Sequence, residues 1–318
     1  MGVTPIDLLL NALCIEGTSY ILGAGASAPH VPTMAQIPGR VTAFASRLTS
    51  FPAGPLPDSP LRRLVAPMIE EAMAATSIEG WRPSAMTSAS IAIVLEHLIS
   101  EASWRRLPQY AVFGLLPRAS SIVSFNWDGL AVARCPQSPV LHPHGTLRPR
   151  LFTSAVLDDL LDYSQLYDHP DAHDWLLPGL VMPGDEEGPR LADTREEVLR
   201  VWLGATQAVI IGYSFGLRSR LDYDRVWLDT FTEAFSVNAG APVHIVSPDA
   251  DELRLQLADR IKRSVNVHSW PWSWYDLSRC LLRCARIAGA SKVEDLLGQQ
   301  TTLDRLCREL AHEDPAAT

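Results

Sequence analysis

The sequence predicts an α/β fold, a doubly wound parallel sheet with a helical insertion, on three observations. From Ala208 onward, short β-branched runs alternate with helical periodicity: strand 208–211, helix 221–235, strand 243–246, helix 250–261, strand 265–268, then helices from Ser273. Near the N-terminus a strand-like run over 19–22 enters the turn Gly23-Ala24-Gly25-Ala26-Ser27. Two further runs stop at polar residues: Ser121–Ser124 before Phe125-Asn126-Trp127-Asp128, and Val140–Leu141 before His142-Pro143-His144-Gly145. Strands that alternate with helices in this way build a Rossmann-like sheet with helices on both faces.

The other elements follow from spacing. Residues 7–14 read as a short amphipathic helix. Over 41–117 strand signals are scarce, while Leu61, Leu64, Val65, Met68, Ile69 and Ala72, then Ile91, Val94, Leu95, Leu98 and Ala102, keep helical spacing. This stretch is the helical insertion, joined through the proline-rich segment 51–60. The Asp-rich segment 151–188 reads as loops with a short helix, and 194–203 as a helix with an acidic first turn. Residues 1–290 then form one domain, and 291–318 a C-terminal helix and tail in which Val293, Leu296, Leu297, Leu303, Leu306 and Leu310 are placed to pack on the core.

Composition narrows the function. With 318 residues and 47% hydrophobic content the chain buries a large core, and a net charge of -9 disfavours an electrostatic grip on nucleic acid or an anionic membrane. No apolar run reaches a membrane span, and no Lys or Arg precedes Arg40, so no signal-peptide charge pattern is present; a cytoplasmic location is expected. The five cysteines are scattered. Only Cys280 and Cys284 stand close, at helical spacing in an apolar segment, which predicts buried reduced thiols, no disulfide and no zinc site. For the aromatic segment Trp270, Trp272, Trp274 and Tyr275, core packing or an interface is expected.

In a doubly wound sheet, ligands bind beyond the carboxyl ends of the strands. Four such ends carry suggestive residues. The glycines of Gly23-Ala24-Gly25-Ala26-Ser27 allow backbone amides to approach a pyrophosphate, although a tight strand-to-helix turn needs the same glycines. Asn126 and Asp128 supply an amide and a carboxylate two residues apart, or an Asx-turn. His144 beside Gly145 suits a general base with room for substrate, whereas His142 suits a structural role. Gly212-Tyr213-Ser214-Phe215-Gly216 lines a dinucleotide site or forms a nucleophile elbow. The elbow has Asp249 and His268 downstream in α/β-hydrolase order, but it leaves Asn126, Asp128 and His144 without roles.

The ordered set GAGAS, SFNWD, HPHG, IIGYSFG and HIVSPD, spanning Tyr20 to about Asp249, resembles the sirtuin-like NAD hydrolases of prokaryotic anti-phage defence. The resemblance implies that Gly23, Ala24, Gly25 and Ser27 cradle the pyrophosphate of NAD and that Asn126 and Asp128 contact the nicotinamide ribose and carboxamide. It implies that His144 is the catalytic histidine. Gly212 and Ser214 match the segment under the phosphates or ribose, and Ser247 stands where the family usually has an adenosine-ribose Asn. Deacylating sirtuins carry a four-cysteine zinc module between the catalytic histidine and the Gly-Ser segment. Here 145–211 holds no cysteine, so no zinc is expected and water replaces acyl-lysine as acceptor.

The expected activity is therefore cleavage of NAD to nicotinamide and ADP-ribose, depleting NAD in defence, with regulation through self-association or a defence-system partner. Two other classes stand beside it: a serine hydrolase built on Ser214, Asp249 and His268, and a sensor that binds NAD or ADP-ribose without turnover. Cleaving the N-glycosidic bond passes through an oxocarbenium-like state, which needs ribose positioning, charge stabilisation and a delivered water. Neutral imidazole is the useful form of His144, so activity is expected to fall in mild acid.

Overall fold

The computed structural model describes residues 5–31, 107–145, 189–217, 224–238, 240–261 and 266–310. They form a six-stranded parallel sheet of order β3-β2-β1-β4-β5-β6, built from β1 (Thr18–Leu22), β2 (Ser121–Ser124), β3 (Val140–Leu141), β4 (Gln207–Ile211), β5 (Val243–Val246) and β6 (Val267–Trp270). This is the doubly wound order, and it reverses between β1 and β4. The described helices are α1 (Pro5–Leu13), α2 (Ala24–Ser27), α3 (Pro108–Ala111), α4 (Leu130–Arg134), α5 (Pro189–Leu203), α6 (Arg225–Val237), α7 (Ala250–Arg260), α8 (Trp274–Ala288) and α9 (Gln300–Leu310).

Side-chain alternation along the strands splits the core in two. Tyr20, Leu22, Ile122, Val209, Ile211, Val246 and Trp270 face one cluster, completed by side chains of α1, α3, α4, α8 and α9. Ile21, Val123, Ala208, Ile210, Val243 and Ile245 face the other, against α5, α6 and α7. Being covered on both sides, β1, β2, β4 and β5 are buried throughout, whereas the edge strands β3 and β6 are only partly so. At the amino end of the sheet the Gln207 amide nitrogen links three elements. Gln207 Nε2 donates to the Ala12 carbonyl at 2.6 Å and to Thr18 Oγ1 at 2.7 Å, tying α1 to β1 and β4.

The fold class agrees with the sequence, and several boundaries move. The helix expected over 194–203 begins at Pro189, so Asp193, Glu196 and Glu197 fall beyond its first turn; proline suits a helix start, where its missing amide costs nothing. The strand expected over 265–268 is Val267–Trp270, because β5 sets the register and pairs Val246 with Trp270. Of the helix expected over 221–235, residues 221–223 lie outside the described residues, and α6 begins at Arg225, just after Asp224, whose φ of 67° is left-handed. Of the insertion over 41–117, only 107–117 is described, as α3 and a 3₁₀ turn, Val112–Gly114; the rest, and 151–188, lie outside the described residues.

The C-terminal apolar positions Val293, Leu296, Leu303 and Leu306 are buried in the first core cluster, as are Cys280, Cys284, Trp270 and Trp274. Among the described residues no helix is long and apolar enough to cross a membrane.

Candidate active site

Strand register brings the four motifs to one edge. Leu22 pairs with Ser124 and Ile211, Val123 with Leu141, and Ile211 with Val246, so these strands end nearly level. Gly23, Phe125, His142, Gly212 and Ser247 are the first residues past those ends, and every candidate residue from Gly23 to Ser247 stands on this carboxyl edge. A parallel sheet dictates this, since every strand runs toward the same edge.

At the reversal between β1 and β4 the two glycine turns touch backbone to backbone. Gly23 donates its amide to the Ile211 carbonyl at 2.9 Å, and Gly25 to the Gly212 carbonyl at 3.1 Å. A Cβ on Gly23 would lie 2.5 Å from the Gly212 oxygen, and one on Gly212, whose φ is 58°, 2.4 Å from Gly25 Cα. Side chains are excluded here by the approach of the loops themselves. Ala24 is half-buried within α2, and Ser247 is buried, its amide donating to the Trp270 carbonyl at 3.2 Å.

Toward β2 the edge becomes a buried polar network centred on Ser27. Its hydroxyl donates to the Asp128 carboxylate, accepts from Asn126 Nδ2 at 2.9 Å and meets Tyr110 Oη at 2.7 Å. One donor proton and two lone pairs are thereby used up if Tyr110 donates. Asp128 Oδ1 accepts the Leu130 amide at 3.0 Å. Gln109 Nε2 donates to the Ala28 carbonyl at 2.9 Å, and Trp274 Nε1 to the Gln109 carbonyl at 2.8 Å, anchoring this loop on α3 and α8. Burial pushes the Asp128 carboxyl up to about 6, against the lowering effect of its Ser27 and Leu130 bonds, and burial raises the Tyr110 phenol well above its ordinary value.

His142 and His144 part company. The His142 ring, held toward its neutral form by burial, contacts the Asn126 carbonyl through Nδ1 at 3.3 Å, so it steadies the loop that carries Asn126. The His144 Nε2 stands 3.0 Å from Asp224 Oδ1, with the two side chains 15% and 10% exposed. Its ring meets Phe125 edge-on at 5.0 Å and Trp227 at 6.3 Å, while Phe125 stacks on Tyr213 at 4.1 Å. This pair of His and Asp within an aromatic surround is the arrangement of an oriented base.

The nucleophile elbow and its triad do not form. Positive φ falls on Gly212, Phe215 and Gly216, not on Ser214, so the strained serine that defines an elbow is missing. His268 pairs in register with His244, which is level with Val209; its ring stacks on His244 at 5.0 Å, two residues short of the end of β6. Ser214 lies three residues past the end of β4, on the far side of that end. Asp249 precedes α7 without capping it through its side chain.

Three contributors escaped the sequence reading. Tyr110 sits in the stretch read as helical insertion, and nothing local marks it as a partner of Ser27. Asp224 fits the helical spacing of its neighbours and so reads as helix interior. Trp227 falls inside the helix expected over 221–235, and its place against His144 depends on where α6 docks. Among the described residues, no group of three or more His, Cys, Asp or Glu is placed to hold a metal ion, and Cys14, Cys135, Cys280, Cys284 and Cys307 are free thiols.

No family model matches the sequence, and no curated protein matches it. Eleven chains of solved structures do. One is a Sir2 homologue in complex with NAD, 16% identical, with TM-score 0.44, covering 90% of this chain and 96% of that one. Another is Sir2 in complex with the inhibitor EX-527, 2'-O-acetyl-ADP-ribose and a deacetylated p53 peptide, 15% identical, with TM-score 0.39, covering 86% and 94%. A third, a Sir2 enzyme, is 13% identical with TM-score 0.39, covering 97% and 99%. The fold assignment rests on the strand order and register, which stand independently of this distant similarity.

Proposed function

We propose that the chain binds NAD along the carboxyl edge of its sheet and hydrolyses the bond between nicotinamide and ribose, giving nicotinamide and ADP-ribose. The observation that carries this reading is the meeting of Ser27, Asn126 and Asp128, about a hundred residues apart in sequence, in one buried network beside the pair His144 and Asp224. A purely structural turn seldom buries a carboxylate at a cost in ionisation, whereas catalytic sites commonly do. The edge from β3 to β5 spans four strand spacings, roughly 19 Å, which suits an extended dinucleotide.

In this reading Gly23, Ala24, Gly25, Gly212, Ser214 and Ser247 line the pyrophosphate and adenosine side. Asp128, whose carboxylate oxygens retain second lone pairs, orients the nicotinamide carboxamide. Asn126 turns its side-chain oxygen to a ribose hydroxyl or the attacking water, while one Nδ2 hydrogen is held by Ser27. His144 takes the proton as the water oxygen bonds to the ribose carbon. The electrons of the broken bond leave with nicotinamide, which departs neutral. The biological setting that the sequence resemblance implies is NAD depletion in anti-phage defence, with no zinc, in the cytoplasm, under control of self-association or a partner protein.

Incubation of the full chain with NAD in ¹⁸O-water tests this, with nicotinamide and ADP-ribose followed by chromatography and mass spectrometry. Labelled ADP-ribose is the expected product, together with no fluorophosphonate labelling of Ser214. Tight NAD binding without nicotinamide release would replace the enzyme with a sensor.

A further inference from the structure

We propose that Asp224 is a positioning residue that holds the His144 ring with its proton on Nε2, so that Nδ1 carries the lone pair that acts as base. Two features lead there, the contact itself and the conformation of Asp224 at the start of α6. The carboxylate oxygen stands 3.0 Å from His144 Nε2, with both side chains largely buried. Asp224 occupies the residue just before α6, where an Asp ordinarily accepts a hydrogen bond from the first turn of the helix, yet its side chain makes no capping bond. Its backbone is also left-handed, with φ at 67°, a conformation that non-glycine residues adopt at a cost and that clusters at functional sites.

The ring has little freedom to answer with another orientation. Phe125 approaches it edge-on at 5.0 Å and Trp227 at 6.3 Å, and Phe125 is itself wedged against Tyr213 and Trp227. Trp227 belongs to α6, and the Asp224 carbonyl accepts the Trp227 and Leu228 amides at 3.0 Å each. The carboxylate and one wall of the ring's enclosure are therefore placed by a single helix start. A neutral imidazole has one N–H and one lone pair, and a carboxylate at one nitrogen fixes the proton there. Among the described residues Asp224 is the charged partner paired with the ring; Phe125 and Trp227 contribute aromatic surfaces.

The catalytic consequence rests on the hydrolase reading, but the tautomer does not, so the two fail separately. The test is ¹⁵N NMR of the histidine rings in the full chain, with His144 assigned by its loss in His144→Gln. Asp224→Gly is the chosen variant, because glycine accepts a φ of 67° without strain and keeps the carbonyl that starts α6. The wild type is expected to show the Nε2–H form of His144, and Asp224→Gly a mixture of both forms. With NAD, kcat should fall roughly 10²- to 10⁴-fold while KM changes little, the pattern of a misoriented base. A wild-type ring protonated on Nδ1 overturns the proposal whether or not the variant folds, and so does an unchanged tautomer in Asp224→Gly. The expected tautomers without NAD turnover in the wild type would uphold Asp224 and remove the hydrolase.

Discussion

The two sides of the switch point solve different problems with the same edge of the sheet. Between β1 and β4 the loops touch backbone to backbone, Gly25 against Gly212, and the amides of Gly23 and Gly25 donate to carbonyls at the end of β4 and in the following turn. Between β1 and β3 it is side chains that meet: Ser27 joins Tyr110, Asn126 and Asp128, and His144 pairs with Asp224 nearby. A glycine motif attracts the eye as a phosphate cradle, yet in this chain packing alone demands those glycines. The chemistry-bearing side chains collect on the other side, toward β2 and β3.

If that division is right, Gly212→Ala is the most damaging single change, because it meets backbone at 2.4 Å and forces a left-handed alanine. A loss on the order of 4 kcal/mol is expected from overpacking and strain together, visible as a large fall in Tm. A Tm within a degree or two of wild type would mean that the loops part easily and that the contact is not what fixes the glycines.

Asn126→Ala attacks the other side. Nicotinamide release should drop roughly 10²- to 10³-fold, about 3 to 4 kcal/mol in the barrier, while stability falls by about 1 kcal/mol for one lost hydrogen bond.

Asp128→Asn should separate stability from activity. The folded carboxyl lies near 6, above its ordinary value of 3.8, so its contribution to stability is fully present below pH 3.8 and is lost as pH rises through 6. At pH 8 the wild type therefore bears a cost of up to about 3 kcal/mol. Asn removes that cost but turns an N–H toward the Ser27 hydroxyl or the Leu130 amide, both donors to the carboxylate, so the variant is expected to gain stability relative to wild type as pH rises from 5 to 8, with nicotinamide release lost. Chemical denaturation at pH 5 and pH 8 checks the sign, because the gain should shrink at the lower pH. The mildest change is Tyr110→Phe, which deletes one hydrogen bond to Ser27 and should cost about 1 kcal/mol with a modest effect on turnover.

The sequence made the strands visible where composition is unambiguous. Ser121–Ser124 and Val140–Leu141 were bounded by polar residues and turns, and both stand where expected. The last strand slipped by two residues because Val265 looks as strand-like as Val267, and only pairing with β5 decides between them. Asn126, Asp128 and His144 could be named from their positions after strands, but not their partners. Ser27 reaches Asp128 across 101 residues and His144 reaches Asp224 across the sheet, and no local pattern encodes either contact. Asp224 was concealed by good helical spacing, which conveys the periodicity of a segment but not the residue where its backbone departs from it.

The most direct test of the central claim measures NAD turnover and thermal unfolding on the same preparations of wild type and Asn126→Ala. The account predicts nicotinamide release by the wild type and its near-complete loss in the variant, with Tm lowered by only a few degrees. Equal release by both proteins would contradict it, because the polar network between β1 and β3 would then be structural and the chemistry would lie elsewhere.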